Sequence, residues 1–133
     1  MRIHFVAIGG SIMHSLALVM AQRGHTVTGS DDEIYEPSRS RLAAQGLLPL
    51  ETGWHPERIH SELDIVVLGM HARADNPELL RAQELGLKVE SFPEFMYNIS
   101  QDKVRIVVAG SHGKTTTSGM IAHVLHYSGM QVD

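Results

Sequence analysis

Two stretches of this chain share one construction: an apolar, β-rich run, a glycine turn, and then apolar residues repeating at helical spacing. The first runs through residues 3–8, turns at Gly9-Gly10, and continues with Ile12, Met13, Leu16, Ala17 and Met20 until Gly24 offers a C-terminal cap. The second runs through residues 104–109, turns between Gly110 and Gly113, and continues with Met120, Ile121, Val124 and Leu125. Strands alternating with helices imply a mostly parallel sheet, because each right-handed crossover helix returns the chain to the same direction.

The intervening residues keep the same rhythm. Residues 26–28 form a short strand ending at Gly29-Ser30-Asp31, and Pro37 opens a helix with Leu42 and Ala43 facing inward before Gly46 stops it. Residues 64–68 form a buried strand. Asn76 then caps a helix with Pro77 at its first position, Leu79, Leu80, Ala82 and Leu85 inward, and Gly86 as its stop. Residues 88–90 read as a further strand, and Pro93 starts a helix carrying Phe95, Met96 and Ile99 inward. Polar residues 100–103 read as a linker. The expected fold class is therefore α/β: a Rossmann-like parallel sheet flanked by helices over residues 1–102, then the first strand–turn–helix of a second domain over residues 103–133. Ligands belong at the carboxyl ends of such strands.

With 133 residues, the chain has room for one compact domain of ~100 to 150 residues and little else. A net charge of -4 gives a nucleic-acid backbone no electrostatic help, so DNA and RNA are not expected partners. Cysteine is absent, which excludes disulfides, thiolate metal sites and thiol nucleophiles. The first twenty residues resemble a signal peptide, but His4, Gly9, Gly10 and His14 interrupt the apolar region. No run approaches the ~18 to 20 apolar residues that cross a bilayer. No membrane partner is expected, and the expected location is the cytoplasm.

The strongest chemical signal is Gly110-Ser111-His112-Gly113-Lys114-Thr115-Thr116, placed between the last strand and helix. In such a loop, glycines let backbone N–H groups curl around phosphate oxygens and the helix N-terminus adds partial positive charge. Lys114 reaches the β/γ-phosphates, and the Thr115 hydroxyl ligates Mg²⁺. The position five before Gly113 is Val108, so the match is to a shortened G-x-x-G-K-[ST] form. At the first turn only the central glycines, Gly9 and Gly10, of a dinucleotide fingerprint survive; Asp31 stands near the ~20-residue spacing at which a carboxylate accepts ribose hydroxyls. A tight turn with Asp31 as a solvated loop residue fits the same pattern. Trp54 offers either a flat face for a base or a half-buried packing surface. His71 and Arg73, just beyond a strand's carboxyl end, suit phosphate pairing or a solvated loop. The nine histidines show no metal-binding spacing such as H-E-x-x-H. His112 lies inside the phosphate loop, and the seven methionines read as core filling.

Residues 2–13 (RIHFVAIGGSIM), 27–31 (VTGSD), 35–42 (YEPSRSRL), 69–77 (GMHARADNP) and 108–120 (VAGSHGKTTTSGM) together resemble the start of the Mur ligase family. The resemblance implies that residues 1–102 hold the UDP part of UDP-N-acetylmuramate and that residues 103–133 begin a central ATPase domain. Gly9, Gly10 and Ser11 would then face the diphosphate, Asp31 the uridine end, and Lys114 with Thr115 the phosphates of ATP and Mg²⁺. Ser111 replaces the family's usual Thr, and Ala7 and Ile12 stand where related first turns carry outer glycines. The family reaction is ATP-dependent amide formation through an acyl phosphate. Residues 35–38 and 70–73 favour members that join UDP-N-acetylmuramate to a recovered murein tripeptide, L-Ala-γ-D-Glu-meso-diaminopimelate, over those that add L-alanine. From another class, Gly9, Gly10 and Asp31 alone are compatible with a non-catalytic NAD-type module. The resemblance also implies that these residues lack ligase turnover by themselves, and that the strand and helix after residue 103 lack most of their partners and are mobile or pack non-natively.

Overall fold

In the computed structural model, which describes residues 1–132, the chain forms two compact units, Met1–Ile99 and the stretch from Ser100 onward. The first is built on four parallel strands, β1 (Arg2–Val6), β2 (Thr26–Ser30), β3 (Ile65–Leu68) and β4 (Val89–Ser91), in the order β2-β1-β3-β4. Helices α1 (Ser11–Gln22), α2 (Ser38–Ala44), α3 (Pro77–Glu84) and α4 (Phe92–Ile99) connect or follow them, with a 3₁₀ turn at Pro56–Arg58. The expected α/β parallel sheet is the observed one.

Alternation along the central strands explains why both faces are covered. Ile3 and Phe5 of β1 and Ile65 and Val67 of β3 join Met13, Leu16, Ala17 and Met20 of α1, Leu42 of α2 and Phe95 of α4 in one core. Val6 and Val66 point the other way, onto Ile59, Leu63 and Ala82. Phe5 and Phe95 meet edge to face, centroids 6.3 Å apart at 85°, the geometry their ring quadrupoles favour. Asn76 caps α3 as its sequence position foretells, its side-chain oxygen accepting from the N–H groups of Glu78 and Leu79 at 2.9 and 3.3 Å.

Three inward assignments need correction: Ala43, Leu80 and Met96 face solvent, as does Ile12 of the α1 repeat. Each neighbours the true inner stripe at helical spacing without belonging to it. Met13, Leu16, Ala17 and Met20 define that stripe in α1, Ser38 and Leu42 in α2, and Phe95 in α4. In α3 the inner positions are Glu78, Leu79 and Ala82, so a carboxylate belongs to the inner face and Leu80 does not.

Glu78 is 0% exposed and is fully engaged. Its Oε1 accepts the His55 N–H at 2.7 Å, and its Oε2 lies 3.2 Å from His4 Nε2. Burial pushes the carboxyl up, but hydrogen bonds from His4 and from the His55 N–H outweigh it and leave Glu78 below its ordinary value. The Ser30 hydroxyl beside it adds to the lowering without meeting hydrogen-bond geometry itself. Facing a carboxylate, His4 Nε2 must carry its proton, which leaves Nδ1 to pair with Thr28 Oγ1 at 2.9 Å.

In the second unit, residues 104–109 are not a strand, which corrects the sequence expectation. A strand exists only where a neighbour satisfies its N–H and C=O groups, and here Val104 and Val107 are 95% and 86% exposed. Helix α5 (Lys114–Tyr127) forms as expected, but Met120 and Val124 face solvent, and Ile121 and Leu125 are only half-buried. Among the described residues, no helix is long and apolar enough to cross a membrane.

Gly29 is where the sheet tolerates least change. A Cβ there would lie 2.6 Å from Ile8 Cδ1, 2.7 Å from Ile8 Cβ and 2.9 Å from the Phe5 carbonyl oxygen. Gly29→Ala is therefore expected to destabilise the first unit by ~1–3 kcal/mol through overpacking. Urea unfolding checks this; an unchanged midpoint would show that the β1–β2 surface is looser than described.

Candidate functional site

The turn after β1 is held from both sides. The N–H groups of Ala7 and Ile8 both donate to the Ser30 carbonyl, at 2.9 and 3.1 Å, and the Gly9 N–H donates to Asp31 Oδ2 at 2.7 Å. Gly9 has no room for a side chain, since a Cβ would sit 2.9 Å from both Asp31 Oδ2 and Ile34 Cγ1. Ala7, standing where a glycine is expected, adopts φ 66°, at a cost of ~1–2 kcal/mol for an L-residue. Gly69 makes room for it, because a Cβ there would be 3.0 Å from the Ala7 Cβ.

Gly10 begins α1 without any side-chain cap, and the first turn contains no acidic residue. Its leading N–H groups and the helix dipole therefore offer an anion-binding end. His14 fixes the turn from below, and sequence reading did not single it out. Its Nδ1 lies 2.9 Å from the Gly10 carbonyl oxygen and 3.0 Å from Ser38 Oγ, while its Nε2 faces Arg41 Nη1 at 3.1 Å. A carbonyl can only accept and a guanidinium can only donate, so the proton sits on Nδ1. The imidazole thereby ties the turn to α2.

Asp31 ends β2 and connects two loops. Its side chain holds Gly9, and its main-chain oxygen accepts the Gly53 N–H at 2.7 Å in an isolated antiparallel bridge. Burial, then a hydrogen bond with the Asp32 side chain, push the Asp31 carboxyl up to about 6, against the lowering effect of the Gly9 and Glu33 N–H groups.

The result is a cleft of about 510 Å³ at the carboxyl ends of the strands. It brings together Gly9, Gly10, Asp31, Trp54, His71 and Arg73, six residues singled out from the sequence. Ser11 is exposed at the start of α1 and is not among the lining residues. Asp32, Glu33, Tyr35 and Asp75 also line the cleft and were not foreseen; the acidic run 31–33 was the available signal. Arg73 Nε is 3.2 Å from Asp75 Oδ1, with both side chains exposed. The Glu33 carboxylate beside Tyr35 holds its phenol above the ordinary value. The cleft thus offers an anion the N-terminus of α1 and, close beside it, offers hydroxyl groups the carboxylates.

In the second unit, Gly110 and Gly113 adopt φ 152° and 74°, conformations open mainly to glycine. Gly113 begins α5 with no side-chain cap and no acidic residue in the first turn, where Lys114, Thr115 and Thr116 lie. Lys114 Nζ donates to the Gly110 carbonyl at 2.7 Å. His112 and Ser111 are exposed with the rest of the loop. Free N–H groups, an ammonium and two hydroxyls form a donor set for phosphate oxygens. Among the described residues, no three His, Cys, Asp or Glu side chains gather as a metal cage.

The Asp31 environment predicts a pH signature. Its folded-state value, about 6, lies above the ordinary aspartate value of 3.8, so its contribution to stability is full below about pH 4 and is lost as pH rises through about 6. Asp31→Asn stays neutral and can still accept the Gly9 N–H. Its stability relative to the unsubstituted chain is expected to rise by on the order of 1–3 kcal/mol between pH 4 and pH 7. Urea titrations at the two pH values measure this; a difference that does not change with pH would contradict the assigned cause.

Known proteins resemble this chain in sequence and in fold. The Mur ligase family, catalytic domain, matches residues 2–104. A UDP-N-acetylmuramate–L-alanine ligase of Carboxydothermus hydrogenoformans is 42% identical over 96% of this chain and 27% of its own length. The UDP-N-acetylmuramate–L-alanyl-gamma-D-glutamyl-meso-2,6-diaminoheptandioate ligase of Escherichia coli is 35% identical over 97% of this chain and 28% of its own length. The crystal structure of a murein peptide ligase from Psychrobacter arcticus superposes with a TM-score of 0.85 at 39% identity, over 97% of this chain and 27% of that one. The chain thus spans a little more than a quarter of the relatives it matches, and it belongs to the Mur ligase family.

Proposed function

We propose that this chain supplies the UDP-N-acetylmuramate site and the ATP phosphate loop of an ATP-dependent amide ligase that adds a murein tripeptide in peptidoglycan recycling. The single observation carrying the proposal is the cleft that collects Gly9, Gly10, Asp31, Trp54, His71 and Arg73 at the carboxyl ends of the strands. The α1 N-terminus and Arg73 receive the diphosphate, Asp31 and its acidic neighbours accept ribose hydroxyls, and Trp54 stacks on the uracil ring. Ser11 opens α1 and adds an N–H and a hydroxyl at the diphosphate end.

At the second loop, Gly110, Ser111, His112, Gly113 and Thr116 surround the triphosphate, and Lys114 exchanges the Gly110 carbonyl for a phosphate oxygen. Thr115 would ligate Mg²⁺. That ion commonly keeps waters and substrate phosphates with few protein ligands, which suits a loop without a carboxylate cage. When bound, Mg²⁺ offsets negative charge on the phosphates. In the reaction proposed, the lactyl carboxylate of UDP-N-acetylmuramate attacks the γ-phosphorus and ADP leaves. The peptide amine then attacks the acyl carbon, loses a proton and displaces phosphate. The contribution of Lys114 is to hold and neutralise the transferring group. This chemistry uses cytoplasmic ATP, and we place the chain there.

The amine is the less constrained part. Residues 35–38 and 70–73 support the tripeptide. L-alanine is the second reading, supported by the 42% identical relative that bears that name.

Thermal unfolding with ligands tests the proposal. A ligand at a hundredfold excess over its Kd stabilises the folded state by about 2.7 kcal/mol, so UDP-N-acetylmuramate is expected to raise Tm by several degrees while NAD leaves it unchanged. The reverse ranking would replace the ligase reading with a dinucleotide module. Arg73→Ala removes an exposed side chain whose ion pair with Asp75 contributes ~0–1 kcal/mol, so it is expected to spare the fold and weaken UDP-N-acetylmuramate binding about tenfold. Calorimetric titration of the variant checks this, and wild-type affinity would remove Arg73 from the site.

A further inference from the structure

Trp54 sits between two fixed points of the main chain. The preceding residue, Gly53, donates its N–H to the Asp31 carbonyl at 2.7 Å, and the following residue, His55, donates its N–H to Glu78 Oε1 at 2.7 Å. Pinning both flanking residues leaves the backbone of Trp54 little freedom, and so sets where its indole goes. The ring is half-buried, packs against the cluster of Val6, Ile59, Leu63, Val66 and Ala82, and also lines the cleft.

The Glu78 end of this clamp is an expensive construction. A carboxylate stands fully buried among the inner positions of α3, and a buried charge is tolerated only with full compensation. Compensation here comes from His4 Nε2, from the His55 N–H and from the N-terminus of α3, whose capped first turn contains Glu78. Glu78, His4 and His55 do not line the cleft, although Asn76 and Pro77 at the start of α3 do. What the carboxylate does that an apolar residue cannot is accept the main-chain N–H next to Trp54.

We infer that Glu78, with His4 as its partner, is a positioning residue that holds the Trp54 indole in place as the stacking platform for the flat base of the ligand. The inference rests on reading the cleft as the UDP-N-acetylmuramate site. It assigns to a buried pair outside the cleft part of the affinity for the base.

Three substitutions separate positioning from packing. Glu78→Met keeps the length and removes the acceptor. His4→Leu with Glu78→Met replaces both buried polar groups by apolar ones, a change that preserves folding more often than breaking one partner alone. Glu78→Gln keeps an acceptor for the His55 N–H. In the unsubstituted chain the His55 amide is expected to be protected from hydrogen exchange. In Glu78→Met, or in the double variant should the single one not fold, the emission of Trp54, the only tryptophan, is expected to shift to longer wavelength. The Kd for UDP-N-acetylmuramate, measured by calorimetry, is expected to rise about tenfold. Glu78→Gln is expected to restore both readings, with affinity within about threefold of the original. A freely exchanging His55 amide, or a folded apolar variant with unchanged emission and affinity, would overturn the inference. Because the emission needs no ligand, a shift in a chain that never binds the UDP sugar supports the clamp and overturns only the assigned ligand.

Discussion

Asp31 is bonded through both its side chain and its main chain, and the cleft depends on that double use. The carboxylate holds the Gly9 N–H after β1, and the carbonyl holds the Gly53 N–H beside Trp54. Two loops far apart in sequence are thereby fixed to the end of one strand. The arrangement is possible only because Gly9 brings no Cβ: one would collide with the same carboxylate. Glycine at 9 and an acid at 31 are therefore one structural requirement, met from two places 22 residues apart.

Local signals and non-local ones separated cleanly when the fold was read from sequence. The glycine turns, the Asn76 cap and the proline after it are legible because their physics is contained within a few residues. Residues 104–109 have the composition of a strand, but a strand is a statement about a neighbour, and among the described residues no strand pairs with them. Burial of polar groups fails for the same reason. His4 and Glu78 are 74 residues apart, and His14 and Ser38 are 24 apart, so neither half of each pair announces its partner. An apolar pattern accordingly turns Leu80 inward, whereas the fold buries Glu78 and leaves Leu80 exposed.

Much of the cleft was legible for a topological reason. In a parallel sheet every strand ends on the same side, so polar residues just beyond strand ends must converge there. Asp31, His71 and Arg73 meet that condition directly. Trp54 does not follow a strand at all and reaches the cleft through the bridge between Gly53 and Asp31. Ser11 is legible from its place in the glycine motif and stands exposed at the first position of α1, beside the lining residue Gly10. Tyr35 arrives because the chain leaves β2 across the mouth of the cleft, a path no local pattern records.

The two glycine turns also resemble each other in what they hold. At the first, the Gly9 N–H is satisfied by the Asp31 carboxylate, an anion supplied by the protein. At the second, the Lys114 ammonium is satisfied by the Gly110 carbonyl, an oxygen supplied by the protein. In both cases a group suited to a phosphate oxygen already rests against an internal oxygen. On the proposed reading, phosphate binding there would be an exchange of partners, contributing only the difference between the two contacts. The leading N–H groups of α1 and α5 would gain a partner outright. Phosphate would therefore gain most at the helix ends, and Asp31 and Lys114, besides the ligand contacts proposed for them, hold each turn in shape beforehand.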